Sequence, residues 1–335
     1  MIQLSILDQS PIPEGSTASE TLAETARLAQ AAEQLGYHRF WVSEHHFASN
    51  LAGSSPEVLI SHLAAITSRI RVGSGGVMLP HYSAYKVAEN FRLLEALYPD
   101  RIDVGLGRAP GGMPLATRAL MDGRAPVDRY PEQVSDLMHY LHDSLPDNHR
   151  YSGLRATPVI PTAPEMWLLG SSGESARIAA QQGTAFAFAH FINSYGGPEA
   201  MRWYQQHFQP STAGERPQSI LAVFVVCAET DEEAERLASS LELTFLFLEQ
   251  GIHRPGVPSV ETAASYPYTP FDLSRIQENR KRMVVGSPKR VKQELLRYSE
   301  QYNTEEIMIV TIMHDFEARL TSYRLLAEAF QLTRS

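Results

Sequence analysis

The sequence predicts an α/β protein folded as a closed (β/α)8, or TIM, barrel. Three observations predict it. Eight short β-like runs alternate with longer helical patterns along the 335 residues. The runs are almost continuously apolar, as strands buried on both faces of a parallel sheet must be. Polar residues and glycines gather just behind the runs, at the end where a closed barrel carries its ligand. An open doubly wound sheet is the competing arrangement, and eight strands is many for one.

Taken in order, the strand-like runs are 4–7, 40–43, 70–78, 102–106, 166–169, 185–191, 219–226 and 306–311. The first helix, 19–35, places Leu22, Ala26, Ala29 and Leu35 on one turning face and stops at Gly36. Further helices are expected over 56–67, from Pro80 to 97, over 127–145, and over 172–182 with Gly183 as its stop. The last three are 198–208, 231–248 and 315–331. A proline-rich connection, 146–164, precedes the fifth run. Between the seventh helix and the eighth run lies an insertion, 250–305. Its first half has no period and holds Pro255, Pro258, Pro267 and Pro270; a charged helical piece, 276–298, follows. The stretch 250–275 is a candidate lid over the barrel mouth, though an irregular surface loop has the same composition. The chain, 1–335, is read as one domain.

Lys and Arg total 29 against 38 Asp and Glu, a net charge of −9. That balance argues against broad binding of nucleic acid, while a small phosphate can still be held by a helix N-terminus and an arginine. One cysteine, Cys227, permits no intrachain disulfide, the usage of a reducing compartment. The first eight residues read as a strand rather than a signal peptide, and no 18-residue apolar run occurs. The expected location is the cytoplasm, away from any membrane.

Candidate site residues follow from what stands behind each run. Ser43-Glu44-His45-His46-Phe47 follows the second. Adjacent residues at a strand end point in different directions, and neither H-x-H nor H-E-x-x-H spacing occurs, so no metal is expected. One histidine is instead expected to face the cavity as acid, base or donor, with Glu44 holding it. His81 and His190 stand behind other runs. Gly170-Ser171-Ser172-Gly173-Glu174-Ser175 opens the fifth helix and resembles a phosphate cup, its free N–H groups joined by three hydroxyls; a plain N-cap is the alternative. Arg108 is a charged partner for that phosphate, or else a salt bridge to a neighbouring loop. Gly105-Leu-Gly-Arg108 is no dinucleotide fingerprint, because the third glycine falls at 111, one position late. Glycines 73, 75, 76, 105 and 107 instead let a flat ligand approach the backbone. Phe47, Tyr82, Phe191, Tyr266 and Tyr268 suggest an apolar, aromatic mouth.

The segments 36–47, 71–80, 88–111 and 170–183, in that order, resemble the luciferase-like flavin-dependent monooxygenases of the bacterial luciferase-like superfamily. The likeness covers residues 1 to about 230; beyond, only the element order is similar. The resemblance implies a non-prolyl cis peptide at Gly75–Gly76 and FMN as cofactor, reduced by a partner flavin reductase. It carries His45 over as the catalytic-pocket histidine, beside Glu44. Gly75 and Gly76 would line the flavin, and Arg108, Ser171, Ser172 and Ser175 would bind its phosphate. Oxygen would add at C4a of the reduced flavin, and the peroxyflavin would oxygenate a small apolar or aromatic organic substrate. Gly107 stands where luciferase has a reactive cysteine, which weakens any expectation of light emission. The family habit implies a homodimer. Three alternatives remain open: a deazaflavin-dependent hydride transferase, a non-catalytic flavin-binding subunit, and a metal-dependent hydrolase using His45, His46 and His190.

Overall fold

The computed structural model describes residues 2–108, 112–122 and 128–333. β1 (Gln3–Asp8) leads through α1 (Ala18–Leu35) to β2 (Arg39–Val42), α2 (Pro56–Ala65) and β3 (Arg71–Ser74). β4 (Val77–Met78), a 3₁₀ turn at Leu79–His81, α3 (Ala84–Leu97), β5 (Ile102–Gly107), α4 (Pro114–Met121) and α5 (Tyr130–Leu141) follow. Then come β6 (Glu165–Gly170), α6 (Gly173–Gln182), β7 (Ala185–Ala189), α7 (Gly197–His207) and β8 (Ser219–Cys227). The chain ends with α8 (Asp231–Glu249), α9 (Val260–Ser265), α10 (Pro270–Arg280), β9 (Met283–Gly286), α11 (Pro288–Tyr302), β10 (Glu306–Val310) and α12 (Phe316–Phe330).

Eight of these strands close on themselves in the order β10-β1-β2-β3-β5-β6-β7-β8, with β8 pairing back to β10. All the pairings are parallel. The expected barrel is therefore present. The run 70–78 is interrupted at a cis Gly75–Gly76 peptide, after which β4 continues beside β5. Gly36 and Gly183, the expected helix stops, both adopt the left-handed conformation, with φ of 86° and 66°.

Strand alternation sorts the side chains into two cores. Leu4, Ile6, Phe40, Val42, Val72, Val104, Leu168, Phe186 and Val223 face outward into one cluster with the surrounding helices. Leu7, Trp41, Trp167, Ala187, Ala222, Phe224 and Met308 face inward. Gly73 faces inward without a side chain, which leaves room for Trp41: a Cβ there would lie 2.8 Å from Trp41 Cδ1. The Trp41 and Trp167 rings meet edge to face across that space, 5.5 Å apart.

Beneath the tryptophans the strand beginnings supply charge. Arg39 Nη1 donates to Asp103 at 3.0 Å and to Glu165 at 2.7 Å, and its Nε donates to Glu306 at 3.0 Å. Arg71 donates to Asp103 from Nη2 at 2.6 Å and from Nε at 2.9 Å. Trp41 Nε1 and Ser5 Oγ complete the set, to Asp103 and Glu306. These groups tie six strands, β1, β2, β3, β5, β6 and β10, across the lower interior of the barrel and fill it.

The last third departs most from expectation. The piece 276–298 is not one helix: α10 ends at Arg280, β9 pairs with the outer half of β8, and α11 begins at Pro288. α11 packs between α7 and α12 and so completes the outer ring. α8 packs instead with α9, α10 and β9, and its Leu237, Ala238 and Leu241 join the inward cluster above the strand ends. The helix expected over 127–145 spans Tyr130–Leu141; residues 109–111 and 123–127 lie outside the described residues. α4 was not expected.

Asp103 is fully buried, and the two guanidinium groups hold its carboxyl below the usual range. Asp103→Leu removes the buried carboxylate that Arg39 and Arg71 share, leaving them only Glu165 and Glu306, and should cost about 3–5 kcal/mol. Urea denaturation checks this; a loss under 1 kcal/mol would contradict the role given to the cluster.

Candidate active site

A cavity of about 640 Å³ opens at the C-terminal ends of the strands, within the range of about 300–1,000 Å³ usual for small-molecule sites. Its wall is mostly apolar: Leu7, Trp41 and Met308 from the barrel, Phe191 and Phe224 beside them, and Leu241 and Phe245 from α8. All eight site residues expected from the sequence line it: Glu44, His45, Gly75, Gly76, Arg108, Ser171, Ser172 and Ser175.

The segment behind β2 sorts its two histidines by partner. His45 is held through Nδ1, 3.0 Å from Ser43 Oγ, while its backbone N–H donates to Gly53 O. Burial, with His46 beside it, pushes the His45 ring down to about 4. It is a neutral imidazole, and the residue lines the cavity. Glu44 does not hold this histidine. Its buried carboxylate lies 2.7 Å from His46 Nε2 and accepts from Tyr82 Oη at 2.7 Å and from Met78 N at 2.9 Å. Glu44 thus joins the β2 and β4 ends and fixes His46, so its bond to the cavity runs through the second histidine of the pair. Burial and the Glu44 hydrogen bond push the Tyr82 phenol well above its ordinary range.

Gly75, Gly76 and Gly107 line the cavity. Close packing behind them requires glycine: a Cβ on Gly76 would lie 2.7 Å from Gly105 O, and one on Gly75 would lie 2.6 Å from Leu7 Cδ1. The space above Gly107 is not empty, because a Cβ there would meet Met78 Cε at 2.8 Å.

The turn from β6 into α6 brings three hydroxyls to the rim. Ser172 is the N-cap residue of α6, its Oγ 3.5 Å from Ser175 N. Asn193 Nδ2 donates to Ser171 O at 2.9 Å and braces the turn. Ser175 sits directly over Gly170, where a Cβ would come within 2.2 Å of it; glycine is required there. Arg108 reaches the same turn from β5, with Nη1 2.8 Å from Glu174 on α6 and Nη2 2.5 Å from Asp128. Arg108 makes the salt bridges that the sequence allowed, and it also lines the cavity beside the α6 N-terminus. These residues fit a phosphorylated ligand with an apolar body, with hydroxyls, helix N–H groups and a guanidinium at one rim of a mostly apolar cavity.

Other expectations are corrected. His190 does not enter the cavity; its Nδ1 lies 2.7 Å from Tyr302 Oη and its Nε2 3.1 Å from Lys281 O. It cannot join His45 and His46, and among the described residues no three His, Cys, Asp or Glu gather in a metal-holding group. Of the aromatic residues expected at the mouth, Phe47 and Phe191 line it. Tyr82 binds Glu44 instead, and Tyr266 and Tyr268 pack against Phe247 in a separate cluster. Sequence reasoning missed the wall that α8 supplies. Its signal was the run Leu243-Thr-Phe-Leu-Phe-Leu248, too broadly apolar for a helix with one buried face. Arg282, which opens β9, was missed as well.

The protein-family model described as luciferase-like monooxygenase matches residues 2–305. The N-acetyl-S-alkylcysteine monooxygenase of Bacillus subtilis is 45% identical over 332 residues, 98% of this chain and 98% of its own. The crystal structure of apo-MsnO8 is 42% identical, with a TM-score of 0.92 over 99% of both chains. The oxygenating constituent of 3,6-diketocamphane monooxygenase from Pseudomonas putida, solved in complex with FMN, shares the fold at 19% identity, with a TM-score of 0.69 over 98% of each chain.

The His45 ring should stay uncharged through the physiological range. An unfolded histidine protonates near pH 6.5, so the stability tied to this burial is full above that pH and declines as pH falls toward 4. Imidazole NMR should show no His45 titration between about pH 5 and 8; a midpoint near 6.5 would contradict the assigned environment.

Proposed function

The chain belongs to the luciferase-like monooxygenase family and is an oxidoreductase; from that premise we propose that it is the oxygenating component of a two-component FMN system. It takes FMN already reduced by a separate flavin reductase and inserts one oxygen atom of O₂ into a small apolar or aromatic organic compound. The observation that carries this reading is the serine-lined N-terminus of α6, with Arg108 against it, in one mostly apolar cavity that Gly75 and Gly76 also line. Thioethers of the N-acyl-S-alkylcysteine type belong in the substrate panel, because a relative at 45% identity is named for one.

Bound reduced FMN would supply the two electrons that activate O₂. The chain's own residues do the rest. Ser171, Ser172, Ser175 and the first N–H groups of α6 hold the phosphate, and Arg108 balances its charge. Gly75 and Gly76 let the ring system lie against the backbone. His45, neutral and oriented through Nδ1 by Ser43, gives or accepts a proton at Nε2. The α8 wall and the segment 250–275, whose Ile252, His253 and Pro258 already line the mouth, exclude water; the segment acts as the lid. The protein works in the cytoplasm as a homodimer, meeting its reductase transiently.

Aerobic turnover with FMN, a flavin reductase and the substrate panel tests the proposal, with product and hydrogen peroxide both measured. The expected result is oxygenated product coupled to reductant consumption. Peroxide alone across the panel, or turnover only with a reduced deazaflavin, would overturn it. Arg108→Ala should weaken FMN binding by about 1.5–3 kcal/mol, the range for a hydrogen bond to a charged group. His45→Ala should leave FMN affinity intact and divert output from product to peroxide; unchanged coupling would remove the proton-handling role.

A further inference from the structure

Four ionisable side chains other than histidines line the cavity: Glu44, Arg108, Arg254 and Arg282. Glu44 is fully engaged by His46, Tyr82 and Met78 N. Arg108 is paired with Asp128 and Glu174. Arg254 lies on the exposed rim over the Phe247 ring. Arg282 is different. It is half-buried, its guanidinium lies 4.6 Å from the centre of the Phe245 ring, and it donates a hydrogen bond to Asn279 Oδ1.

Among the described residues no carboxylate lies within ion-pair distance of Arg282. The two acidic groups near enough to act on it are otherwise occupied. Glu249 accepts from Arg275 and Asn279, and Glu278 accepts from Tyr195 and Lys281. The wall beside Arg282 is apolar: Phe245 packs on Phe224 at 5.3 Å, and Phe224 on Phe191 at 5.2 Å. A guanidinium has five N–H donors in a fixed fork, and a partly desolvated charge is ordinarily paired. In a chain of net charge −9, a cation facing an apolar cavity without a carboxylate finds its counter-charge in the ligand.

We propose that Arg282 binds a carboxylate of the substrate, so that the compound accepted has an apolar arm and an acidic end. This rests on the monooxygenase reading above. Along the sheet two strands, β7 and β8, stand between β6, which leads into the phosphate cup, and β9, which Arg282 immediately precedes. The fork accepts a carboxylate through two parallel hydrogen bonds, while Phe245, Phe224 and Phe191 receive the apolar arm.

The test titrates the full-length wild type, Arg282→Gln and Arg282→Lys by calorimetry with N-acetyl-S-benzylcysteine and with its carboxamide. FMN and riboflavin are titrated alongside. The wild type should bind the acid at least about tenfold more tightly than the amide, the lower end for charged hydrogen bonds. Arg282→Gln should erase that ratio, Arg282→Lys should keep part of it, and FMN affinity should not change. The proposal is overturned if acid and amide bind alike in the wild type, or if neither binds. It is also overturned if the ratio survives in Arg282→Gln, or if that variant loses FMN selectively over riboflavin, which would assign Arg282 to the phosphate. A wild type that binds the acid selectively but not FMN would end the flavin reading and leave the carboxylate site standing.

Discussion

One constraint organises the molecule: the lower interior of the barrel is closed by charge. Arg39 stands among three carboxylates from three other strands, with its guanidinium also 4.7 Å from the centre of the Trp167 ring. Burying such a group is costly unless every donor is used, and here backbone closure and the ion cluster require each other. Asp103, Glu165 and Glu306 can meet Arg39 only if β5, β6 and β10 curve around it. With the lower interior filled by this cluster and the middle by Trp41 and Trp167, the cavity formed by the described residues lies at the opposite end. That is where the strand ends deliver glycines, serines and histidines.

The upper end uses a different economy of charge. Its wall is mostly apolar, and its two polar edges are distinct. On the β5–β6 edge, Arg108, held between Asp128 and Glu174, stands beside the hydroxyls of the α6 N-terminus. On the β2–β4 edge, Glu44 is spent on structure, and His45 is kept neutral by burial. A neutral donor or acceptor in a nearly dry cavity can handle a proton without carrying a charge that water would otherwise have to solvate. The insertion completes the enclosure. α8 leaves the outer ring, where α11 takes its place, and leans its apolar face over the opening.

Much of this was legible in the sequence, for physical reasons that differ by region. The barrel was legible because each strand must be apolar toward its helices, so Phe40, Val42, Val72 and Val104 stand out whatever faces inward. The serine-rich turn into α6 and the glycines at the strand ends were legible as cavity residues because their signals are local: a turn, a helix start, a strand end. The role of Glu44 was not, since which histidine it meets depends on the Tyr82 hydroxyl and Met78 N–H arriving from another strand. His190 misled for the same reason, as Tyr302 reaches it from 112 residues away. The position of α8 was hidden because an amphipathic helix declares a buried face without declaring against what. β9 was missed because Met283-Val-Val-Gly286 is short and set between two charged helices.

The central claim is that a flavin phosphate is gripped where β6 turns into α6. The most direct measurement compares FMN with riboflavin, oxidised and anaerobically reduced, in equilibrium titration against the wild-type chain. The two ligands differ only in the phosphate. The account predicts saturable FMN binding, with riboflavin at least about tenfold weaker, as expected when a charged, hydrogen-bonded group is lost. Equal affinity for both, or no binding of either redox form of FMN, would contradict it.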